Sequence, residues 1–289
     1  MCRILEVTRQ GYYKYLKSLS RPYKHAVLLA TIKAILKEDE FNSEYGRKRL
    51  KLALSMKGFE KSESTIYRVC KENNILVAKG KPRGLTKADK EAYKNDDLLK
   101  GDFKADKPNK KLIGDITQLP TSDGTLYIST VFDCFDNACL GLSMADNMKS
   151  ELVEKSLKGA ISNIKTNTNS SIIFHSDRGS QYTSGAFRNL LNKNKIIQSM
   201  SYAKSSCYGN AKCESLFARF KVEAIYNRYK TEQMSMDAVK NLVFRYFMSY
   251  WNNRRIFTSN EGLPPYERRK RFFNKKEQST IAQNNHQVA

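Results

Sequence analysis

The sequence has little of what zinc-binding, secreted and membrane proteins usually carry. Among 289 residues there are three histidines, one tryptophan and six cysteines, and no two cysteines form a CxxC pair. A zinc site of the two-His, two-Cys kind therefore lacks ligands. No uncharged stretch supplies the ~20 apolar residues that a membrane-spanning helix needs. Arg3, Glu6 and Arg9 interrupt any apolar segment at the start, which argues against a secretory signal. These absences favour a cytoplasmic protein whose thiols are reduced.

Acidic residues are also scarce relative to basic ones. There are 51 Lys and Arg against 29 Asp and Glu, which gives a formal net charge of +22. The excess is divided equally between residues 1–109 and 110–289. A polyanion neutralises such a surplus best, and nucleic acid is the commonest polyanionic partner. The charge therefore favours DNA or RNA binding over a merely lysine-rich soluble protein.

The first hundred residues are basic and have a helical pattern. An apolar cluster around Leu54 ends at Gly58, and Ser62 or Ser64 is placed to cap a second helix. Two short helices around a glycine-containing turn predict a helix-turn-helix-like DNA-binding region over 1–95. An ordinary helical hairpin with solvated charges satisfies the same pattern.

The pattern changes beyond residue 96. A polar stretch at 96–109 predicts a linker. Short β-prone runs then alternate with amphipathic helical runs, which predicts an α/β fold, a mixed sheet flanked by helices, over 110–272. The predicted strands are 111–119, 125–132, 138–145, 171–175 and 196–200, and the predicted helices start near 150, cover 187–191 and run from 210 to 255. The residues from 273 to 289 are expected to be a flexible tail.

Three carboxylates stand out by their positions. Asp115 lies inside an apolar strand, Asp177 directly follows the apolar run IIFHS, and Glu214 lies in a helix that begins near Asn210. A carboxylate in an apolar strand is costly unless it is paired or binds a metal. If the fold brings the three together, they suit Mg²⁺ or Mn²⁺, and two ions ~3.5–4 Å apart promote phosphodiester chemistry. The residues alone are equally consistent with Asp115 at a strand end, Asp177 in a turn and Glu214 on a solvated surface.

Lys221 follows Glu214 by seven residues, which is about two helical turns. The helix face that presents the carboxylate therefore also presents a cation, which is suited to holding a DNA strand. A Glu–Lys pair on a solvated face is the alternative.

Eight segments that together span nearly the whole chain have distinctive sequences. They are MCRILEVTRQGYYKYL at 1–16, YGRKRL at 45–50, TIYRVCKENNIL at 65–76, LLKGDFKADKPNKK at 98–111, GDITQLP at 114–120, FHSDRGSQYTS at 174–184, SMSYAKSSCYGNAKCES at 199–215 and YWNNRRIFTSNEGLPPYE at 250–267. These segments closely resemble one family, the insertion-sequence transposases of the IS-three type, and the first is similar to the start of the family's second reading-frame product. That family belongs to the retroviral integrase superfamily, with an RNase H-like fold and an Asp, Asp, Glu triad.

The resemblance implies that Asp115, Asp177 and Glu214 are the catalytic, metal-binding triad for Mg²⁺ or Mn²⁺, with two ions. It implies that Lys221 contacts transposon-end DNA. Further DNA contacts are expected within the same motifs, at Arg178, Gln181, Tyr182, Lys204 and Asn210.

This chain departs from the family pattern in a few places. The interval between Asp177 and Glu214 is 36 residues, one more than is usual, and the extra residue falls within 202–206. Other residues replace those common in the family: Leu112 for Trp, Gly114 for Thr, Gly209 for Asp and Phe257 for His. None of these removes a triad carboxylate, so an intact active site is expected.

The expected function is that of a DNA transposase, or its catalytic subunit, which cleaves at the 3′ ends of an insertion sequence and transfers the strand to another phosphodiester. The expected partners are DNA, further copies of the chain on paired ends, and an upstream-frame protein, and the expected location is the cytoplasm at the nucleoid. Two alternatives remain: a DNA-binding regulator or decayed transposase without catalysis, and a metal-dependent nuclease of the same fold that joins no strands.

Overall fold

The computed structural model describes residues 6–19, 22–77, 97–164, 171–201, 210–226 and 228–287. Lys204, Gly209 and the loop at 202–206 lie outside these ranges. The chain divides into two compact units, which are described separately. The helical unit comprises Met1–Glu40 and Tyr45–Val77, and the sheet unit comprises Phe41–Glu44 and Ala78–Ala289.

The helical unit contains four helices, α1 (Arg9–Leu19), α2 (Ala26–Lys37), α3 (Arg47–Met56) and α4 (Glu63–Glu72). Gly58 ends the turn after α3 with φ 79°, a left-handed conformation that glycine adopts without strain. Ser62 caps α4, since its Oγ accepts the backbone N–H of Thr65 at 3.2 Å. The two expected helices and their turn are therefore present, and a helix-turn-helix that binds DNA stays a prediction.

The sheet unit is built on five strands in the order β3-β2-β1-β4-β5. β1 pairs with β2 and β2 with β3 in antiparallel fashion, whereas β1–β4 and β4–β5 are parallel. The strands are β1 (Lys111–Thr121), β2 (Gly124–Asp133), β3 (Cys139–Ala145), β4 (Ile172–Ser176) and β5 (Ile196–Met200). This mixed sheet with flanking helices is the RNase H-like arrangement, which confirms the predicted fold class.

Helices cover both faces of the sheet. One face packs on α5 (Ser150–Asn163), α6 (Ser180–Thr183) and α7 (Gly185–Lys193), in a core that includes Leu112 and Phe174. The other face carries Phe132, whose ring lies 6.2 Å from Phe217 of α8 (Ala211–Phe220) and 5.6 Å from Trp251. Because successive strand residues point to opposite faces, the alternation in β1 and β2 assigns each side chain to one of these two cores.

The predicted helix from 210 to 255 is not one regular helix. α8 continues into a π-helical turn, Lys221–Tyr226, and α9 (Met236–Phe244) into another, Arg245–Trp251, with a short 3-10 turn at Thr231–Gln233 before α9. A π turn takes in more residues per turn than an α-helix, so it redirects the side chains that follow it. Sequence periodicity at 3.6 residues does not reveal such turns.

Two other segments differ from expectation. The predicted tail from 273 continues α10 (Pro265–Gln287), whose sequence has no glycine and no proline after the first residue. The described part of the predicted linker packs on the sheet unit. Asp97 and Leu99 are buried, and the ring of Phe103 lies 5.9 Å from that of His175.

Candidate active site

Asp115 lies on β1, and Asp177 directly follows the neighbouring strand β4. β1 and β4 pair in parallel with Lys111 opposite Ile173 and Ile113 opposite His175. The same offset, continued two residues further, places Asp177 beside Asp115. Adjacent strands are separated by about 4.8 Å, and both residues share the parity of Ile113 and His175, so both carboxylates lie on one face of the sheet.

α8 brings Glu214 to that same face. Ile113 pairs with Phe132 and Asp115 with Thr130, so Asp115 points to the side of the sheet on which Phe132 contacts Phe217 of α8. The start of α8 is fixed to β1 as well, because Asn210 donates from Nδ2 to the carbonyl of Gly114 at 3.3 Å. Glu214 is in the first turn of α8, one turn beyond this bond, and its side chain is exposed.

The charges of Asp177 and Glu214 act on Asp115. Burial raises the pKa of Asp115 well above its ordinary value, and the negative charges of Asp177 and Glu214 raise it further. The N–H of Ile116, 2.9 Å from Oδ1, and the cation of Lys221 lower it. Burial and like charge therefore both disfavour the ionised form of Asp115, which a further positive charge would favour.

Asp177 has a similar but milder environment. Burial raises its pKa, while the N–H of Gly179, which donates to Oδ1 at 3.0 Å, and the nearby His175 lower it. The side chain is partly exposed at the carboxyl end of β4, the edge at which ligand crevices open in α/β sheets.

Lys221 directly follows α8 and has helical backbone angles, φ −61° and ψ −39°. It begins the π-helical turn after α8 and is partly buried, whereas Glu214 is exposed. Burial lowers the pKa of Lys221, and the charge of Asp115 opposes that shift. The backbone from Glu214 to Lys221 thus keeps the helical geometry that the spacing assumes, and a DNA contact by Lys221 stays a prediction.

The donors present fit a hard divalent cation, although they do not form a finished ligand set. Among the described residues, no group of three or more His, Cys, Asp or Glu side chains is arranged to hold a metal ion. Asp115, Asp177 and Glu214 supply only carboxylate oxygens, the ligands that Mg²⁺ and Mn²⁺ prefer. Their mutual repulsion, recorded in the raised pKa of Asp115, is what a shared cation relieves.

Most of the other expected DNA contacts have structural partners. Arg178 is buried, and its Nε donates to the carbonyl of Ser201 at 2.7 Å. Gln181 donates from Nε2 to the carbonyl of Met148 at 2.8 Å. Asn210 is buried against β1, as described above. Lys204 lies outside the described residues.

The position of Tyr182 in the structure argues against the DNA contact that was predicted for it. It is 2 % exposed, and its ring packs against Phe174 and Phe187 in the core at centroid distances of 6.1 and 5.4 Å. The ring therefore presents no surface to DNA. A motif shows that a residue type belongs beside the site, but it does not distinguish a ligand contact from a packing role.

Packing against Phe174 explains why position 114 is a glycine. A Cβ built there would lie 2.4 Å from the ring of Phe174, on the face opposite Asp115. The larger residue common in the family requires Phe174 to move, so Gly114 and Phe174 form a matched pair next to the candidate site.

Sequence reasoning missed a buried ionic cluster behind α8. Arg255 donates from Nε and Nη2 to the two carboxylate oxygens of Glu223 at 2.7 and 2.5 Å, and the hydroxyl of Tyr246 donates to Oε2 at 2.8 Å. Both charged side chains are at most 2 % exposed. Glu223 lies on the π-helical turn that continues α8, so this cluster fixes the helix of Glu214 and Lys221. The sequence signal for this cluster is the glutamate of KVEAIY, which has apolar residues on both sides.

The sheet order and the face shared by the carboxylates define a protein of the integrase core class. The family model for the integrase core domain matches residues 105–206. A solved simian T-cell lymphotropic virus intasome in complex with a PP2A regulatory subunit is similar to the chain at 15% identity and a TM-score of 0.43, covering 71% of this chain and 68% of that one.

Curated relatives define the family. The putative transposase InsK of insertion sequence element IS150 from Escherichia coli K12 is 30% identical over 94% of this chain and 93% of its own length. The transposase InsF of insertion sequence IS3A from the same strain is 30% identical over 92% of this chain and 91% of its own. The chain belongs to this family of insertion-sequence transposases, which confirms the resemblance seen in its motifs.

No helix in the described ranges combines the length and the apolar character required to cross a bilayer.

Proposed function

We propose that this transposase cleaves the 3′ ends of its insertion sequence and joins them to new DNA at a site formed by Asp115, Asp177 and Glu214. The observation that supports the proposal is the parallel register of β1 and β4, in which Ile113 lies opposite His175, two residues before Asp115 and Asp177.

The three carboxylates would hold Mg²⁺ or Mn²⁺, with two ions in the complete site. Two such ions activate an attacking oxygen and stabilise the leaving oxygen of a phosphodiester. Asp115 and Asp177 would supply two ligands at the sheet, and Glu214 would supply a third from the exposed face of α8. Lys221, next to Asp115, is placed to hold the DNA phosphate that lies at the metals.

The partners follow from this function and from the charge. The +22 surplus favours DNA as the substrate and predicts affinity that falls steeply with salt. Further copies of the chain would pair two transposon ends, and an upstream-frame protein would add end recognition. The proposed domains are a DNA-binding region at 1–95, a connection at 96–109 and a catalytic core at 110–272, in a protein located at the nucleoid.

The test uses a duplex that carries the terminal repeat of the encoding element, with Mg²⁺. Wild type should nick and join, whereas Asp177→Asn should lose both reactions and keep DNA binding. Asp237→Asn, at an exposed aspartate in the first turn of α9, is the matched control and should be fully active. Mn²⁺ should raise the melting temperature of wild type but not of Asp177→Asn.

Two outcomes would replace the proposal. Binding without any chemistry, in wild type and variant alike, would assign the chain to DNA-binding regulators. Nicking without joining would assign it to nucleases of this fold.

A further inference from the structure

The interval between Asp177 and Glu214 carries charge of one sign only. Its 36 residues contain six basic side chains and no acidic one, although acids make up 29 of the 289 residues in the chain. α7 and β5 lie in this interval, so a helix and an edge strand of the sheet present only cations and neutral groups.

A groove of about 680 Å³ runs between α7 and β5. Hydrogen-bond donors dominate its lining, and none of the described residues that line it is acidic. The polar lining residues are Arg188, Asn189, Asn192, Lys195 and Gln198, and Gly185 lies at one end. Gln198 already donates from Nε2 to the carbonyl of Tyr182 at 2.7 Å.

The groove leads away from the candidate active site. Ser176, next to Asp177, pairs with Met200, so the carboxyl ends of β4 and β5 lie at the same edge of the sheet. α7 reverses into β5 through Lys195, whose φ is 55°, so the helix runs back along the strand. Nine helical residues span about 13 Å, roughly the rise of four base pairs of DNA.

We propose that this groove, here named the α7–β5 groove, binds the phosphate backbone of DNA beyond the position of cleavage. Arginine and lysine contact phosphate oxygens, and asparagine and glutamine amides contact phosphates and sugars. The proposal rests on the proposed function, since it supplies a path for the DNA that leaves the metal site. Ile197, 43 % exposed on the edge strand, makes a protein strand the rival occupant.

Lys195 and Lys193 form a matched pair for the test. Both are exposed lysines two residues apart at the end of α7, but only Lys195 lines the groove. Lys195→Asn and Lys193→Asn remove the same charge, and asparagine tolerates the left-handed backbone at 195. The probe is a fluorescein-labelled 40-bp duplex of mixed sequence, without divalent metal, titrated at several salt concentrations.

Lys195→Asn should weaken binding about tenfold at low salt and reduce the salt slope by about one, because one phosphate contact is lost. Lys193→Asn should change the affinity less than about twofold, with the slope unchanged. Equal effects of both variants would show a diffuse attraction and overturn the proposal.

Gly185→Glu separates binding from folding. A Cβ at Gly185 meets no atom within 4 Å, and an acid at a helix N-terminus is favourable, so the melting temperature should hold or rise. The added charge should nonetheless weaken duplex binding several-fold. Unchanged DNA binding, together with altered sedimentation of the free protein, would assign the groove to a protein partner and overturn the proposal.

The failure of this proposal is distinguishable from failure of the proposed catalysis. If Asp177→Asn loses cleavage while the groove variants bind as wild type, the groove assignment is wrong and the catalytic site stands. If Asp177→Asn keeps cleavage while Lys195→Asn binds weakly, the catalytic assignment is wrong and the groove stands.

Discussion

Removing one partner of the buried pair of Glu223 and Arg255 should destabilise the sheet unit strongly. Arg255→Met keeps most of the side-chain volume and its contacts with the rings of Trp251 and Phe257, which lie 4.7 and 4.2 Å from the guanidinium carbon. It removes both hydrogen bonds that Arg255 donates to Glu223 and keeps the bond from the hydroxyl of Tyr246 to that carboxylate.

Removing one partner of a buried ion pair costs about 3–5 kcal/mol, against ~5–15 kcal/mol for the stability of a typical domain. We therefore expect Arg255→Met to lower the free energy of unfolding by about 3–5 kcal/mol at pH 7. Adding Glu223→Gln should restore at least about 2 kcal/mol, because the amide carries no charge and still accepts from Tyr246.

The assay is urea unfolding followed by tryptophan fluorescence, and Trp251 is the sole tryptophan, stacked next to Arg255. Lys240→Met is the control, because its ion pair with Asp237 is exposed and should be worth less than about 1 kcal/mol. A loss below about 1 kcal/mol in Arg255→Met, or a double variant no more stable than the single one, would refute the reasoning.

Three further predictions concern packing, pH and a helix cap. Gly141→Ala places a Cβ 1.9 Å from the carbonyl oxygen of Ser156 and should cost about 3 kcal/mol or more in urea unfolding, whereas Gly185→Ala should be neutral within about 0.5 kcal/mol. Burial and the charge of a second aspartate raise the pKa of Asp133 to about 6, so the free energy of unfolding should fall by up to about 3 kcal/mol as pH rises from 4 to above 6. That slope should vanish in Asp133→Asn, and a persisting slope would assign it to another group. Ser62→Ala should destabilise the helical unit by about 1 kcal/mol and increase amide exchange at the start of α4, and unchanged exchange would contradict the capping role.

The turn that contains Asp133 and Asp136 is bound by a residue that is distant along the chain. Asp133 and Asp136 share one cation, since Arg269 of α10 donates to both, at 2.8 Å from its Nε to Asp136 Oδ2. Burial is the main cause of the raised pKa of Asp133, and the charge of Asp136 raises it further, while Arg269 lowers it. Nothing in the local sequence of either segment predicts this contact.

Several features of the fold could be predicted because they depend on neighbouring residues. Three local patterns were sufficient: the β-prone runs of β1 and β2, the apolar stripe of α5 and the cap at Ser62. The structure confirms those elements to within about two residues. The π-helical turns and the helical residues after 273 were not predicted, since the first break the 3.6-residue period and the second lack an apolar stripe.

The sequence by itself determined which residues could do chemistry: two aspartates at strand positions, a glutamate in a helix and an excess of cations around them. Only the tertiary structure decided that β1 and β4, the strands next to Asp115 and Asp177, pair in parallel, that Tyr182 lies inside the core, and that Arg255 pairs with a glutamate 32 residues away. The physical reason is that local periodicity fixes each element, whereas the faces that meet depend on packing between elements distant along the chain.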